Sequence, residues 1–181
     1  MSAFHKTALF IDGLSLHFTA KNLGFDIDFK LLLAEFARRG TLVRAYYYTS
    51  IVDDNTGYHV IRPLTDWLSY NGYRVVIKSA KAHNDGEGRR AFKRNIGVEL
   101  SVDAMEIAKD VDEIVLFSGD GDLRRLVYAI QSRGRRVTVV SSLRVSPPII
   151  ADELRRQADE FLELDNLRAV IGRPLPSQAA Q

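Results

Sequence analysis

The feature that most constrains this chain is a run of short, apolar, β-rich segments, each separated from the next by a stretch with helical periodicity. Thr7–Ile11 (TALFI), Leu42–Thr49 (LVRAYYYT), Tyr73–Lys78 (YRVVIK), Glu113–Phe117 (EIVLF) and Arg136–Val140 (RVTVV) read as strands. Between and after them, Phe29–Arg38, Val60–Asn71, Val98–Lys109, Leu123–Ser132 and Ile150–Phe161 carry apolar residues at helical spacing. Gly40, Gly72 and Gly134 follow three of these segments as stop signals. Strand–helix alternation of this kind gives an α/β fold with a mostly parallel sheet flanked by helices. At 181 residues the chain suits one domain, expected over 1–168, with 169–181 as a flexible C-terminal tail. The stretch from His83 to Arg90 (HNDGEGRR) reads as an exposed loop.

Composition narrows the chemistry. Cysteine is absent, which excludes disulfides, thiolate metal sites and a cysteine nucleophile. The first residues show no signal-peptide layout, and no apolar run approaches the roughly 18 residues of a membrane span. A cytoplasmic protein with no membrane partner is therefore expected. The net charge is only +2, but it is segregated along the chain: Lys78–Arg94 carries six bases against two acids, and Leu123–Ala151 carries six arginines and no acid. Such segregation gives either a basic surface beside an acidic one or a set of solvated faces.

The acids fall where a parallel sheet binds ligands, outside the carboxyl ends of its strands. Asp12 follows the first strand, and Asp120 and Asp122 follow EIVLF in a Ser-Gly-Asp-Gly-Asp turn. Glu99 and Asp103 stand four apart on one face of a helix, with Val98, Val102 and Met105 expected towards the core. Crowded carboxylates repel one another unless a cation neutralises them, and Mg²⁺ or Mn²⁺ suits an all-oxygen cluster. Ions of this kind activate water and stabilise a leaving oxygen in phosphodiester cleavage. A plainer reading stays open: Asp-Gly is a common turn, and Asp120 or Asp122 could simply cap the helix that starts near Leu123.

Three segments, Phe10-Ile11-Asp12-Gly13, Lys93–Met105 (KRNIGVELSVDAM) and Leu116–Asp122 (LFSGDGD), together resemble the signatures of NYN-domain proteins of the LabA-like (DUF88) branch. The resemblance runs from about Lys6 to Asp165 and implies a PIN-like fold and a metal-dependent ribonuclease. It carries over Asp12, Asp103, Asp120 and Asp122 as catalytic and metal-binding candidates, with Glu99 as a helix neighbour and Ser118 as a ligand-orienting hydroxyl. Two positions depart from the pattern. Ser15 stands where members usually have Asn, which makes it a second orienting hydroxyl. Members also usually carry an acid four residues before Asp103, and the stretch Lys93-Arg94-Asn95-Ile96-Gly97 reads as offering glycine there.

Arg89, Arg90, Lys93 and Arg94, just before the acidic helix, and Arg124 and Arg125, just after the acidic turn, are candidates for holding an RNA backbone. Single-stranded RNA is the expected partner, and a homodimer is the default for assembly. Tyr46, Tyr47 and Tyr48 and Trp67 are assigned to packing rather than base stacking. The alternative function is an RNA-binding or regulatory module without catalysis. A phosphatase or nucleotide-binding protein ranks last, because there is no Asp-x-Asp pair, Gly-x-Gly-x-x-Gly turn or P-loop.

Overall fold

The computed structural model describes residues 5–52, 57–80, 82–84, 90–92 and 96–175, with backbone alone at 52, 57–59, 82–84 and 90–92. In chain order the elements are β1 (Lys6–Asp12), α1 (Gly13–Asn22), β2 (Phe25–Ile27), α2 (Phe29–Arg39), β3 (Thr41–Val52), α3 (Gly57–Tyr70) and β4 (Tyr73–Ala80). There follow β5 (Ala82–Asn84), β6 (Arg90–Phe92), α4 (Gly97–Ile107), β7 (Glu113–Phe117), α5 (Arg124–Gln131) and β8 (Arg136–Ser141). The chain ends with α6 (Asp152–Gln157), β9 (Glu160–Glu163), α7 (Arg168–Ile171) and β10 (Gly172–Pro174).

Six strands form one parallel sheet in the order β4-β3-β1-β7-β8-β9. The strand alternation expected from sequence is thus realised as an α/β sandwich. Side chains alternate across the sheet. Ala8, Phe10, Tyr46, Tyr48, Ile114 and Leu116 meet Leu100, Ala104, Leu126 and Leu154 from α4, α5 and α6 on one face. Leu9, Ile11, Tyr47, Val115 and Phe117 meet Leu16, Leu32, Phe36 and Leu68 from α1, α2 and α3 on the other. From β1 the chain first moves outward to β3 and β4, then returns to the far side of β1 through β7 and proceeds to β8 and β9. The winding therefore reverses between β1 and β7, the crevice in which doubly wound sheets bind ligands. Gly72 and Gly134 end their helices at φ +93° and +74°, the left-handed region a side chain disfavours.

Several expectations are corrected. The chain does not become a tail at residue 169: Ile171 is fully buried and β10 pairs antiparallel with β2, tied by Arg173 to Asp26. The expected helix over 150–161 stops at Gln157, because Asp159 accepts the Val137 N–H and donates its own to the Val137 carbonyl, setting β9 onto the sheet edge. The ends of the expected 83–90 loop pair as β5 with β6, while 85–89 lie outside the described residues. Val98 and Val102 are 61% and 53% exposed, since α4 turns Leu100, Ala104 and Ile107 inward instead. Trp67 is 40% exposed, with Leu68 taking the core position beside it. Among the described residues no helix is long and apolar enough to cross a membrane.

Candidate metal centre and nucleic-acid interface

Asp12 ends β1 and caps α1, accepting the Ser15 N–H on Oδ1 at 3.1 Å. Its Oδ2 lies 3.5 Å from Ser118 Oγ, at the end of neighbouring β7. Ser118 is buried and its hydroxyl accepts the Asp120 N–H at 3.2 Å, while Ser15 Oγ accepts the Gly119 N–H at 3.3 Å. The two serines thus lace the start of α1 to the turn after β7. Asp120 in turn caps the single 3₁₀ turn Gly121–Leu123, taking the Asp122 N–H at 3.0 Å. Each cap uses one carboxylate oxygen, so capping does not use up either Asp12 or Asp120.

The charge balance of this group is unfavourable by itself. Burial pushes the Asp12 carboxyl above its ordinary range, the Ser15 N–H pulls against that rise, and the negative charge of Asp120 adds to it. A cation beside such a carboxyl would offset both the burial and the like charge. Two carboxylates with hydroxyls beside them fit Mg²⁺ or Mn²⁺, which bind through one or two carboxylates and fill the rest of their shell with waters and phosphate. Among the described residues no group of three His, Cys, Asp or Glu side chains gathers as a metal-holding cluster. The five acids expected to meet are therefore distributed along the rim.

Asp103 sits one strand over from Asp12. Tyr48, the register partner of Asp12 on β3, donates its hydroxyl to Asp103 Oδ2 at 2.7 Å. Burial, with the Asp103 carboxylate beside it, pushes the Tyr48 hydroxyl far above the usual phenol range, so it remains a donor. Glu99 lies a further strand away, 2.6 Å from Lys78 Nζ of β4, and that contact holds its carboxyl below the usual range. The acid four residues ahead of Asp103 is Glu99 itself, so Gly97 marks the start of α4 rather than a lost carboxylate. Asp122 is exposed beyond the turn.

One acid escaped the sequence reading. A Cβ on Gly121 would stand 2.5 Å from Glu153 Oε1, which puts the Glu153 carboxylate against the acidic turn. Only the Asp152–Glu153 pair at the first turn of a helix hinted at it, and the overlong helix expected there hid that position. Gly119 is equally constrained, since a Cβ would lie 2.3 Å from the Ile149 carbonyl while its own carbonyl accepts the Ala151 N–H. Gly119→Ala is expected to destabilise the fold by about 1–3 kcal/mol, as other overpacking changes do. Chemical denaturation checks this, and an unchanged midpoint would show that the loop before α6 yields freely.

The basic candidates divide. Arg124 and Arg125 are exposed beside the turn, Arg125 lying 4.8 Å over the Tyr128 ring. Arg89, Lys93 and Arg94 lie outside the described residues, and Arg90 is described as backbone in β6. In the basic segment Leu123–Ala151, Arg135, Arg136 and Arg144 pair with Asp112, Glu160 and Asp165, so part of that charge is neutralised locally.

A parallel sheet whose acids collect at the β1/β7 reversal is a PIN-like α/β domain with an acidic rim. The NYN domain pattern matches residues 6–165, and the chain belongs to the NYN-domain family, whose members are generally nucleases typically using divalent metals. It is 35% identical over 172 residues to "Low amplitude and bright protein LabA" of Synechococcus elongatus, covering 92% of this chain and 87% of that one. It also superimposes on the crystal structure of a Vibrio parahaemolyticus protein of unknown function, with TM-score 0.76 and 26% identity. That match covers 96% of this chain and 99% of the other.

Proposed function

We propose that the protein is a metal-dependent ribonuclease acting on single-stranded RNA at the β1/β7 rim. The observation that carries this reading is the Asp12–Asp120 pair, a partly buried carboxyl raised by burial and by a like charge at the ligand-binding crevice. Asp12 and Asp120 would hold Mg²⁺ or Mn²⁺, with Asp122, Glu153 and Asp103 facing the same rim. The ion would supply Lewis-acid charge at the phosphodiester and lower the pKa of water. Ser118 and Ser15 fix the Asp12 carboxylate and the Gly119–Asp120 backbone, so the acids need no reorganisation when substrate arrives. Arg124 and Arg125 follow the turn directly and suit a phosphate backbone.

A second reading, an RNA-binding module without hydrolysis, is favoured by the lack of any three-ligand group among the described residues. The experiment that separates the two is incubation of labelled single-stranded RNA with Mg²⁺ or Mn²⁺, with and without EDTA. Cleavage that EDTA stops is expected. Intact RNA that binds in a salt-sensitive manner would transfer the assignment to the binding module.

A further inference from the structure

On the opposite face of the sheet from Asp103, a cleft of about 380 Å³ opens between α1, α3 and the β2–β10 ribbon. Its size lies within the range of small-ligand sites. Tyr47 and Phe29 form two of its walls, their rings 5.5 Å apart and nearly perpendicular at 87°. Leu64 of α3 closes it, and Thr49 lines its β3 side. Thr49 is fully buried and its hydroxyl has no hydrogen-bond partner among the described residues, a costly arrangement in a finished core. On the ribbon wall, Asp26 and Arg173 pair across the strands at 2.8 Å while both keep some exposure.

The cleft adjoins the acidic rim. Gly13 lines it, and Gly13 is the residue after Asp12. An added Cβ at Gly13 would meet the Tyr47 ring carbon and hydroxyl at 2.3 Å, so the hydroxyl end of Tyr47 packs directly on the backbone next to Asp12. Burial chiefly, with the charge of Asp12 added, pushes that hydroxyl up to about 12. A group lodged in the cleft therefore borders Gly13, the residue that follows Asp12.

We propose that this cleft is a nucleobase pocket that seats one unpaired base of the strand being cut. The inference rests on the ribonuclease reading of the rim. Two perpendicular aromatic walls accept a flat ring by its face and its edge. The unpartnered Thr49 hydroxyl can donate or accept, and the Asp26 carboxylate and Arg173 guanidinium offer an acceptor beside donors, matching the mixed edge of a base. An aliphatic occupant would leave the Thr49 hydroxyl without a partner.

The test uses the full chain in an Asp120→Ala background, which keeps RNA intact, with fluorescence anisotropy of a short single-stranded oligomer. Leu64→Trp, which fills the cleft, and Thr49→Val, which removes the hydroxyl, are both expected to weaken binding. The loss should fall within about 5- to 150-fold, the worth of one stacked base, with Thr49→Val at the low end. An oligomer with a single abasic nucleotide, scanned along its length, should lose as much on the starting protein at one position, and that loss should not add to the loss from Leu64→Trp. Thr49→Val should melt no lower than its parent, because a methyl replaces an unpartnered hydroxyl, so its weaker binding is not misfolding. Should Leu64→Trp fail to fold, Thr49→Val and the abasic scan decide.

Undiminished oligomer binding by both variants, or full additivity with the abasic site, overturns the pocket while leaving the ribonuclease reading intact. Stabilisation by free mononucleotides, lost in Leu64→Trp and without oligomer binding, overturns the strand-bound base in favour of a nucleotide ligand. Abolished cleavage in Asp120→Ala, with pocket variants cutting normally, likewise supports the rim and sinks the pocket.

Discussion

Asp12→Asn is expected to abolish metal-dependent cleavage while making the metal-free protein more stable at neutral pH. Asparagine caps a helix as well as aspartate and keeps an oxygen for the Ser15 N–H, so local structure survives. What disappears is a negative charge that burial and Asp120 both disfavour. The sign follows from linkage. The folded carboxyl titrates above its ordinary value of 3.8, so the folded state holds that proton more tightly than the unfolded one. Below 3.8 both states are protonated and the wild type suffers no penalty. As pH rises through the folded value the penalty grows, then stays constant. Asp12→Asn should therefore melt higher than wild type at neutral pH in EDTA, with the difference vanishing in acid. Activity should fall by at least about 100-fold, since groups that merely orient a metal ligand are worth about 10–100-fold. Wild-type cleavage by the variant sinks the carboxylate reading, and a lower melting point at pH 7 sinks the claim that Asp12 is held at a cost.

The parts of this molecule that sequence reveals are those in which local pattern and tertiary position agree. β1, β7 and β8 are buried on both faces and so appear as short apolar runs, while β3 and β4 are legible from their β-branched and aromatic residues. Asp12 and Asp120 are legible because acids directly after such runs stand at the carboxyl edge whatever the loops do. Hidden elements are those fixed by long-range pairing. β9 and β10 are short and are specified by partners elsewhere, through Asp159 with Val137 and Arg173 with Asp26. α1 carries little helical signal in the sequence, because Phe18 is exposed where an apolar stripe would bury it, leaving Leu16, Thr19 and Ala20 as its inward face. The spacing of Glu99 and Asp103 correctly joined them to one helix. Only the structure reveals that each acid meets a different strand, Lys78 of β4 for one and Tyr48 of β3 for the other. The expectation of a single five-carboxylate cluster came from reading a shared helix face as a shared site.

Phe10→Ala is expected to be among the most damaging single truncations, and the reason links the core to the rim. Phe10 is fully buried on the same strand and face as Asp12, two residues earlier, stacked 4.6 Å from Tyr46 and 6.1 Å from Tyr48. Removing its ring leaves a cavity among close-packed aromatics and should cost about 3–5 kcal/mol. Against a usual total of about 5–15 kcal/mol this is a large share, and for a chain of this size it lowers the melting temperature by roughly 6–20 °C. The damage should not stop at stability. Tyr48 loses a neighbour that fixes its ring, and with it the donor that orients Asp103. Tyr48→Phe provides the contrast: it keeps the stack and removes only the hydroxyl, leaving Asp103 without that partner at a cost of about 1–3 kcal/mol. If Asp103 serves the rim through this bond, Tyr48→Phe should lose more activity per degree of melting temperature than Phe10→Ala does. Thermal melts and initial cleavage rates measured together on the two variants decide the matter. Equal losses of activity at matched stability would show that the Tyr48–Asp103 bond belongs to the core alone.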